Sequence, residues 1–373
     1  MNKKSVALLL RTLQLGKHTL SEQSVLDWHS ADLNGLIPLL VFEGAELWLY
    51  RCIRQSQIAV PETLRTELRA SVHRTSVINM RIDAQTVAVT TLLTNHGIAW
   101  SLLKGQARRA AATLYPYADA RAVSDVDLLV PEADADKAWN TLCANGFRRV
   151  YENPVDWKAD HHRPTLIDAY EVAVELHTTT AMSVQPTEAW RRATENSDRV
   201  EWSDMTVSVP NATELVWQAL AHGVADGARG YKLKALLSVA AILAMLPSID
   251  WEIIAERING NEVLNNDTMK PVPPERTRRF LDVAGELSGT QIPAPLLPTT
   301  RAKIAPLIMW RARTLSSSNG RAAKDRLLEE STRAELRMPL TPYVPRAGVL
   351  RNTRRRSTSI VARLAYLVWR ATS

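Results

Sequence analysis

The sequence contains little cysteine and no long apolar run. Only two cysteines, Cys52 and Cys143, occur in 373 residues, and they do not have the spacing of a metal-binding set. No stretch of about 18 apolar residues exists, so we expect no membrane-spanning helix. An apolar run at residues 8–10 is interrupted by Arg11, which argues against a secretory signal. These absences predict a cytoplasmic protein with two buried thiols.

Glycine and phenylalanine are also scarce. The chain has 14 Gly and three Phe, with 46% hydrophobic and 23% charged residues. This composition is typical of a globular protein, and the length suffices for a catalytic domain with one or two helical domains. Apolar residues recur at helical spacing before residue 95 and again over residues 215–246. The run at residues 64–95 contains neither Gly nor Pro, which predicts one long helix.

Acidic residues are missing from the C-terminal end, where arginines cluster. The net charge is +7. The arginines after residue 345 are Arg346, Arg351, Arg354, Arg355, Arg356, Arg363 and Arg370. A tail of this kind can bind RNA, an acidic partner or anionic lipid. The alternative interpretation is a solvated tail without a partner.

The centre of the chain carries two aspartates one residue apart, Asp125 and Asp127, within an apolar run that ends at Val130. In a β-strand, residues i and i+2 share a face. Both carboxylates would then point to one place, while the alternate residues face a core. Two anions this close repel each other unless a cation lies between them. Mg²⁺ prefers oxygen ligands of this kind, so the pair is a candidate metal site. The alternative is a strand end with two solvated aspartates.

Neighbouring segments carry groups that suit a phosphate and a metal. Residues 97–103 indicate a short strand that ends at Lys104 and Gly105, before a helical run. A glycine turn at a helix start favours an anion, because unpaired backbone N–H groups and the helix dipole point towards it. Further along, Glu175 and His177 share one face of another predicted strand.

Two adjacent histidines, His161 and His162, lie between the acidic pair and Glu175. Either could bind a metal or a triphosphate. On a strand they would point in opposite directions, so at most one could face the site. We expect a surface pair in a loop.

Together these motifs resemble the nucleotidyltransferase superfamily with the DNA polymerase beta-like fold. That superfamily combines a glycine turn at a helix start, an acidic pair on a strand and a third acid on a neighbouring strand. More narrowly, the chain is similar to the uncharacterised nucleotidyltransferase family. The similar segments are Leu103-Lys104-Gly105, Tyr115-Pro116, Arg121, residues 124–130, Gly146-Phe147 and residues 174–177. Lys104-Gly105 stands where the superfamily usually has Gly-Ser or Gly-Gly.

The resemblance implies an α+β fold, in which a small mixed polymerase-beta-like sheet is flanked by helices. It also implies helical regions at both ends of the chain. The expected division is an N-terminal helical region (residues 1–95), a nucleotidyltransferase catalytic domain (96–210), a C-terminal helical domain (211–345) and a basic tail (346–373).

The resemblance further implies roles for individual residues. Asp125, Asp127 and Glu175 would act in catalysis and bind two Mg²⁺ ions, with Mn²⁺ as the alternative metal. The expected nucleotide-binding residues are Lys104, Gly105, Arg108, Arg121, Ser124 and His177.

The expected reaction is metal-dependent transfer of an NMP from an NTP, with ATP as the expected donor. The acceptor would be a hydroxyl of a small molecule, peptide or protein, and pyrophosphate would leave. One alternative is transfer to an RNA 3′ end, as in tRNA-modifying toxins of this fold, which the basic tail would favour. A second alternative is a catalytically degenerate scaffold or interaction protein, against which the three intact acids argue.

Overall fold

The computed structural model describes residues 3–15, 28–111, 123–150, 162–169, 171–180, 183–203, 205–225, 233–245, 248–265 and 270–300. Within these ranges the chain forms eleven α-helices, a five-stranded mixed sheet and a two-stranded hairpin. The α+β fold class predicted from the sequence is therefore confirmed. None of the described helices has both the length and the apolar character needed to cross a bilayer.

Four helices precede the sheet. They are α1 (Lys3–Leu15), α2 (Leu33–Glu43), α3 (Glu46–Gln55) and α4 (Glu62–Asn95). Continuous helical periodicity over residues 37–52 predicts a single helix, but the structure has a break there. Gly44 adopts a left-handed φ of 60°, and its N–H donates hydrogen bonds to carbonyl groups at the end of α2. By contrast, α4 is the one long helix that its lack of Gly and Pro predicts, with 34 residues.

The sheet combines parallel and antiparallel pairs in the order β1-β2-β5-β4-β3. Its strands are β1 (Ser101–Leu102), β2 (Asp125–Leu129), β3 (Arg148–Arg149), β4 (Leu166–Ile167) and β5 (Ala173–His177). Only β2 and β5, at the centre, run parallel, and the other pairs are antiparallel. Helix α5 (Lys104–Ala110) lies between β1 and β2 in sequence, and α6 (Ala135–Ala144) between β2 and β3.

A hairpin and five further helices follow the sheet. They are α7 (Pro186–Thr194), the hairpin strands β6 (Asp198–Trp202) and β7 (Met205–Val209), α8 (Ala212–Ala225), α9 (Leu233–Met245), α10 (Trp251–Asn259) and α11 (Pro274–Ser288). Strand-like runs at residues 201–202 and 206–209 predict this hairpin, and helix-start signals near residues 211, 231, 250 and 275 predict the last four helices. The structure contains all of them. Helix α7 was not predicted, although Pro186 at its first position and Glu188 in its first turn are helix-start signals.

Both faces of the central strand β2 are covered. Val126, Leu128 and Val130 are fully buried in the main hydrophobic core, as the strand alternation predicts. On the other face, Leu129 packs in a small cluster with Leu103 and with Ala193 of α7. The acidic residues at the start of β2 therefore belong to a strand that is buried on both sides.

The two thiols differ in burial. Cys52 is buried, as expected, whereas Cys143 is only partly buried, and neither of these two described residues forms a disulfide. The sequence also predicts a helix at residues 301–315. That segment and the basic tail at residues 346–373 lie outside the described residues.

Candidate functional site

Asp127 and Glu175 lie directly opposite each other on the two parallel strands. The register of β2 and β5 pairs Asp127 with Glu175, Asp125 with Ala173 and Leu129 with His177. Residues i and i+2 of a strand share a face, so His177 lies on the same side as both acids. Asp127, Glu175 and His177 are all buried, with exposures of 3%, 5% and 1%. The geometry thus brings two carboxylates and an imidazole together at the centre of the sheet.

Lys104 extends from the start of α5 into this group. Its Nζ donates to Asp127 Oδ1 at 2.8 Å and lies 3.8 Å from Glu175 Oε2. The same Nζ is 3.2 Å from His177 Nε2. The ammonium of Lys104 therefore lies close to both carboxylates in the structure.

The backbone of the Lys104 turn is unusual. Lys104 has a φ of 46°, in the left-handed region that L-residues other than Asn and Asp rarely adopt. Arg108 Nε donates to the Lys104 carbonyl at 2.8 Å, and this hydrogen bond stabilises the turn. At Gly105, a Cβ atom would lie 2.3 Å from Val123 Cγ1, so only glycine allows α5 to approach the segment leading into β2.

His177 contacts both acids but favours Asp127. Its Nε2 lies 2.8 Å from Asp127 Oδ1 and 3.6 Å from Glu175 Oε2. Thr165, next to β4, donates to Glu175 Oε1 at 3.5 Å. Each carboxylate is thus oriented by side chains from other strands or from α5.

The electrostatics keep both acids ionised. Burial alone would raise the pKa of Asp127, but the charge of Lys104 and the hydrogen bond with His177 outweigh it, so the pKa lies well below its usual value. The pKa of Glu175 is also lowered, because His177 and Lys104 overcome the effect of burial. Burial disfavours the Lys104 ammonium, yet Asp127, Glu175 and Asp125 together raise the pKa of Lys104 above its usual value.

The donor set fits a divalent cation. Asp127, Glu175 and His177 offer ligand atoms that all lie within 4.8 Å of one another, and no other such group occurs in the described part of the chain. Two carboxylates and an imidazole are ligands that Mg²⁺, Mn²⁺ and related ions accept. Asp125 is not part of this group. It lies at the partly exposed start of β2, where Ser124 Oγ donates to its Oδ1 at 3.1 Å.

The other residues predicted to bind the nucleotide do not form a single group. Gly105 and Arg108 shape the Lys104 turn, and Arg108 is buried with an exposure of 7%. Ser124 is exposed beside Asp125. Arg121 lies outside the described residues, as do Tyr115 and Pro116.

His162 lies beside the site and is partly buried, so the predicted surface position in a loop is wrong for this histidine. A backbone bridge pairs His162 with His177, and the two rings lie 5.3 Å apart in an edge-to-face arrangement. Burial lowers the pKa of His162, although the charge of Glu175 opposes the shift. Its partner in sequence, His161, lies outside the described residues.

Helix α4 fixes the turn and the acidic strand relative to each other. Asn79 Oδ1 accepts the backbone N–H of Val123 at 3.1 Å, two residues before Asp125. On α5, Arg109 forms an ion pair with Asp83 of α4. Sequence reasoning missed these contacts, because a polar residue on a helix gives no local sign of its partner.

One comparison with known proteins gives a match. A family model described as "Uncharacterised nucleotidyltransferase" matches residues 29–265, more than half of the chain. No curated protein matches the sequence. The matched segment contains the Lys104 turn and all three residues of the acidic and imidazole group.

Proposed function

The chain belongs to the uncharacterised nucleotidyltransferase family, and we propose that it transfers an NMP from an NTP, with ATP as the expected donor, to a hydroxyl of a small molecule, peptide or protein. The bond between the α-phosphorus and the oxygen bridging to the β-phosphate breaks, and pyrophosphate leaves. A new bond joins the α-phosphorus to the acceptor oxygen, whose proton passes to a base. The observation that carries the proposal is the opposition of Asp127 and Glu175 on parallel strands beside the Lys104 turn.

A divalent metal would be held by Asp127, Glu175 and His177, with Asp125 at the edge of the group. Mg²⁺ is the expected ion, in a two-ion arrangement, and Mn²⁺ is the alternative that tolerates an imidazole ligand well. When bound, the metal neutralises phosphate charge and lowers the pKa of the attacking hydroxyl.

The protein's own side chains do the positioning. His177 Nε2 contacts the Asp127 carboxylate, and Thr165 donates to Glu175 Oε1. A carboxylate oxygen of Glu175 is the candidate to accept the proton of the acceptor hydroxyl. Lys104 supplies a point charge for the triphosphate, and Arg108 steadies its backbone carbonyl.

A labelling experiment tests this function. The full-length protein is incubated with each of the four NTPs, labelled at the α-phosphate, together with Mg²⁺ and a cell extract. Label in the small-molecule or protein fraction, absent with an Asp127→Asn variant, is the expected result. Label that stays in free nucleotide under every condition would contradict the proposal.

A second candidate acceptor, an RNA 3′ end, has the C-terminal arginines in its favour. If RNA is the acceptor, each phosphate contact releases counterions, and log affinity falls with log salt by roughly 0.7 per contact on single strands. A chain truncated after Gly348 would lose Arg351, Arg354, Arg355 and Arg356. For an RNA acceptor, the truncation should flatten the salt dependence and reduce RNA labelling. For the proposed acceptors, the truncated enzyme should work as well as the full chain.

A further inference from the structure

The candidate metal group already contains a positive charge. The Lys104 ammonium is 2.8 Å from Asp127 Oδ1 and 3.2 Å from His177 Nε2, and both of these residues belong to the candidate metal group. It also lies 3.8 Å from Glu175 Oε2. A divalent cation and an ammonium sharing these atoms would repel each other strongly in a site so poorly exposed to water.

The protein builds this arrangement at a cost to its own backbone. Lys104 is held at a φ of 46°, which is strained for a lysine. The contact between Arg108 and the Lys104 carbonyl, and the close packing of Gly105 on Val123, maintain the turn. A strained residue that persists next to the reacting groups is typical of a functional device.

Lys104 is more exposed than the two acids that it contacts. Its side chain is 23% exposed, against 4% for Asp127 and 7% for Glu175. When a second cation enters the site, we therefore expect the lysine side chain to move, and not the two acids fixed within the sheet.

We propose that Lys104 is the resident cation of the metal-free site, and that a divalent cation must displace its ammonium before the site can bind a nucleotide productively. In the metal-free protein, Lys104 holds Asp127 and Glu175 together. After displacement, the same ammonium is released to contact the triphosphate, a step that rests on the proposed function. The same side chain thus binds the acids before the metal enters and the phosphates afterwards.

Binding of Mn²⁺ alone tests the displacement. Free Mn²⁺ is measured by electron paramagnetic resonance during titration of three full-length proteins: wild type, Lys104→Met and Lys137→Met. Lys137 is a matched control, because it is an exposed lysine of α6 that donates to the His96 carbonyl outside the site. We expect Lys104→Met to bind Mn²⁺ at least about tenfold more tightly than wild type, or about 1.4 kcal/mol. Lys137→Met should match wild type.

The wild-type protein gives a second test that does not depend on how a variant folds. An amine-specific reagent is applied briefly, and modification of Lys104 is quantified by mass spectrometry, with Lys137 as the internal reference. Modification of Lys104 should increase when Mn²⁺ is added and decrease again when a non-hydrolysable ATP analogue follows. Unchanged modification on adding Mn²⁺ would overturn the proposal.

The outcomes separate this proposal from the proposed function. Equal or weaker Mn²⁺ binding by Lys104→Met, with tight binding by wild type, would overturn the displacement but leave the metal-dependent transferase intact. No Mn²⁺ binding by any of the three proteins would overturn both.

Discussion

Two clusters of charged residues in this protein are built in opposite ways. The site cluster consists of Lys104, Asp127, Glu175 and His177, which come from α5, β2 and β5. The α7 cluster consists of Glu188, Arg191, Arg192, Glu195 and Glu262. The first is buried and assembled from distant parts of the chain. The second lies mostly on the surface, and four of its five members belong to α7 or its end.

The α7 cluster pairs its three carboxylates with two arginines. Arg192 donates to both carboxylate oxygens of Glu262, at 2.6 and 3.0 Å, and also to Glu188 at 2.6 Å. Arg191 donates to both oxygens of Glu188 at 2.8 Å and contacts Glu195. Water and salt screen such pairs, so each contributes little to stability.

In the site cluster, by contrast, each charge depends on the others. Two buried carboxylates share one ammonium, and desolvation penalises each charge unless its partners remain in place. Removing one member leaves the others uncompensated. These buried charges are better explained by chemistry than by stability, and substitutions in the two clusters should separate the two effects.

The largest effect is expected for Asp127→Asn. The neutral amide is a poor metal ligand, so transfer should fall below roughly one-hundredth of the wild-type rate. Because Asp127 accepts from Lys104 and contacts His177, the folded state should also lose about 1–3 kcal/mol. Transfer of label and chemical denaturation measure the two effects.

The matched control for that change is Asp198→Asn, at the exposed start of β6 in the separate two-stranded sheet. It should leave both quantities unchanged. An Asp127→Asn protein that keeps more than about a tenth of the wild-type activity would contradict the catalytic role of this carboxylate.

The next effect is expected for Gly105→Ala, which tests the turn of the site cluster. The added methyl group would lie 2.3 Å from Val123 Cγ1, and such overpacking typically costs about 1–3 kcal/mol. Transfer should fall as well, because the clash pushes Lys104 away from β2. The double variant Gly105→Ala/Val123→Ala removes the clashing methyl and should recover part of the activity. A double variant no better than the single one would show that close packing is not the reason for the glycine.

A smaller effect is expected for Arg192→Ala in the α7 cluster. Arg192 is partly buried and pairs with both Glu188 and Glu262. The variant loses both ion pairs. Stability should fall by about 1 kcal/mol or less, and transfer should be unchanged. In a double-mutant cycle with Glu262→Gln, the coupling should shrink at high salt. Loss of activity without loss of stability would show that the two clusters communicate.

The smallest effect is expected for Arg191→Ala. Hydrogen bonds from Arg191 and Arg192 lower the pKa of Glu188 to about 2. A carboxyl group with a lowered folded-state pKa stabilises the protein above its unfolded pKa of about 4.3, and that contribution is lost as the pH falls towards 2. In the variant, the Glu188 pKa should rise towards its ordinary value, as measured by carboxyl ¹³C NMR. A Glu188 pKa that stays near 2 would show that Arg192 alone controls it.

Some features of the site follow from short stretches of sequence. The alternation around Asp127 and around Glu175 predicts two strands, and both are present as β2 and β5. The absence of Gly and Pro from residues 64–95 predicts α4. These predictions succeed because the repeat of a strand or helix is a property of the local backbone.

Other features were missed because their signals are weak or distant. Helix α7 has only nine residues, too few for a clear apolar repeat. The position of His162 depends on its backbone bridge to His177 in β5. The residues around either histidine give no local signal of this bridge. The contact between Asn79 and Val123 spans 44 positions of the chain.

The sequence by itself placed candidate acids on strands of the central segment, and it indicated a cation between them, because paired anions repel. It suggested Asp125 and Asp127 as the pair, Glu175 as a third acid and a metal as the cation. The tertiary structure decided that Glu175 is the acid opposite Asp127, and that Lys104, 23 residues before Asp127, brings the ammonium between them. Strand register and the docking of α5 depend on burial across the whole sheet. No local pattern carries that information, so only the folded chain reveals which charges meet.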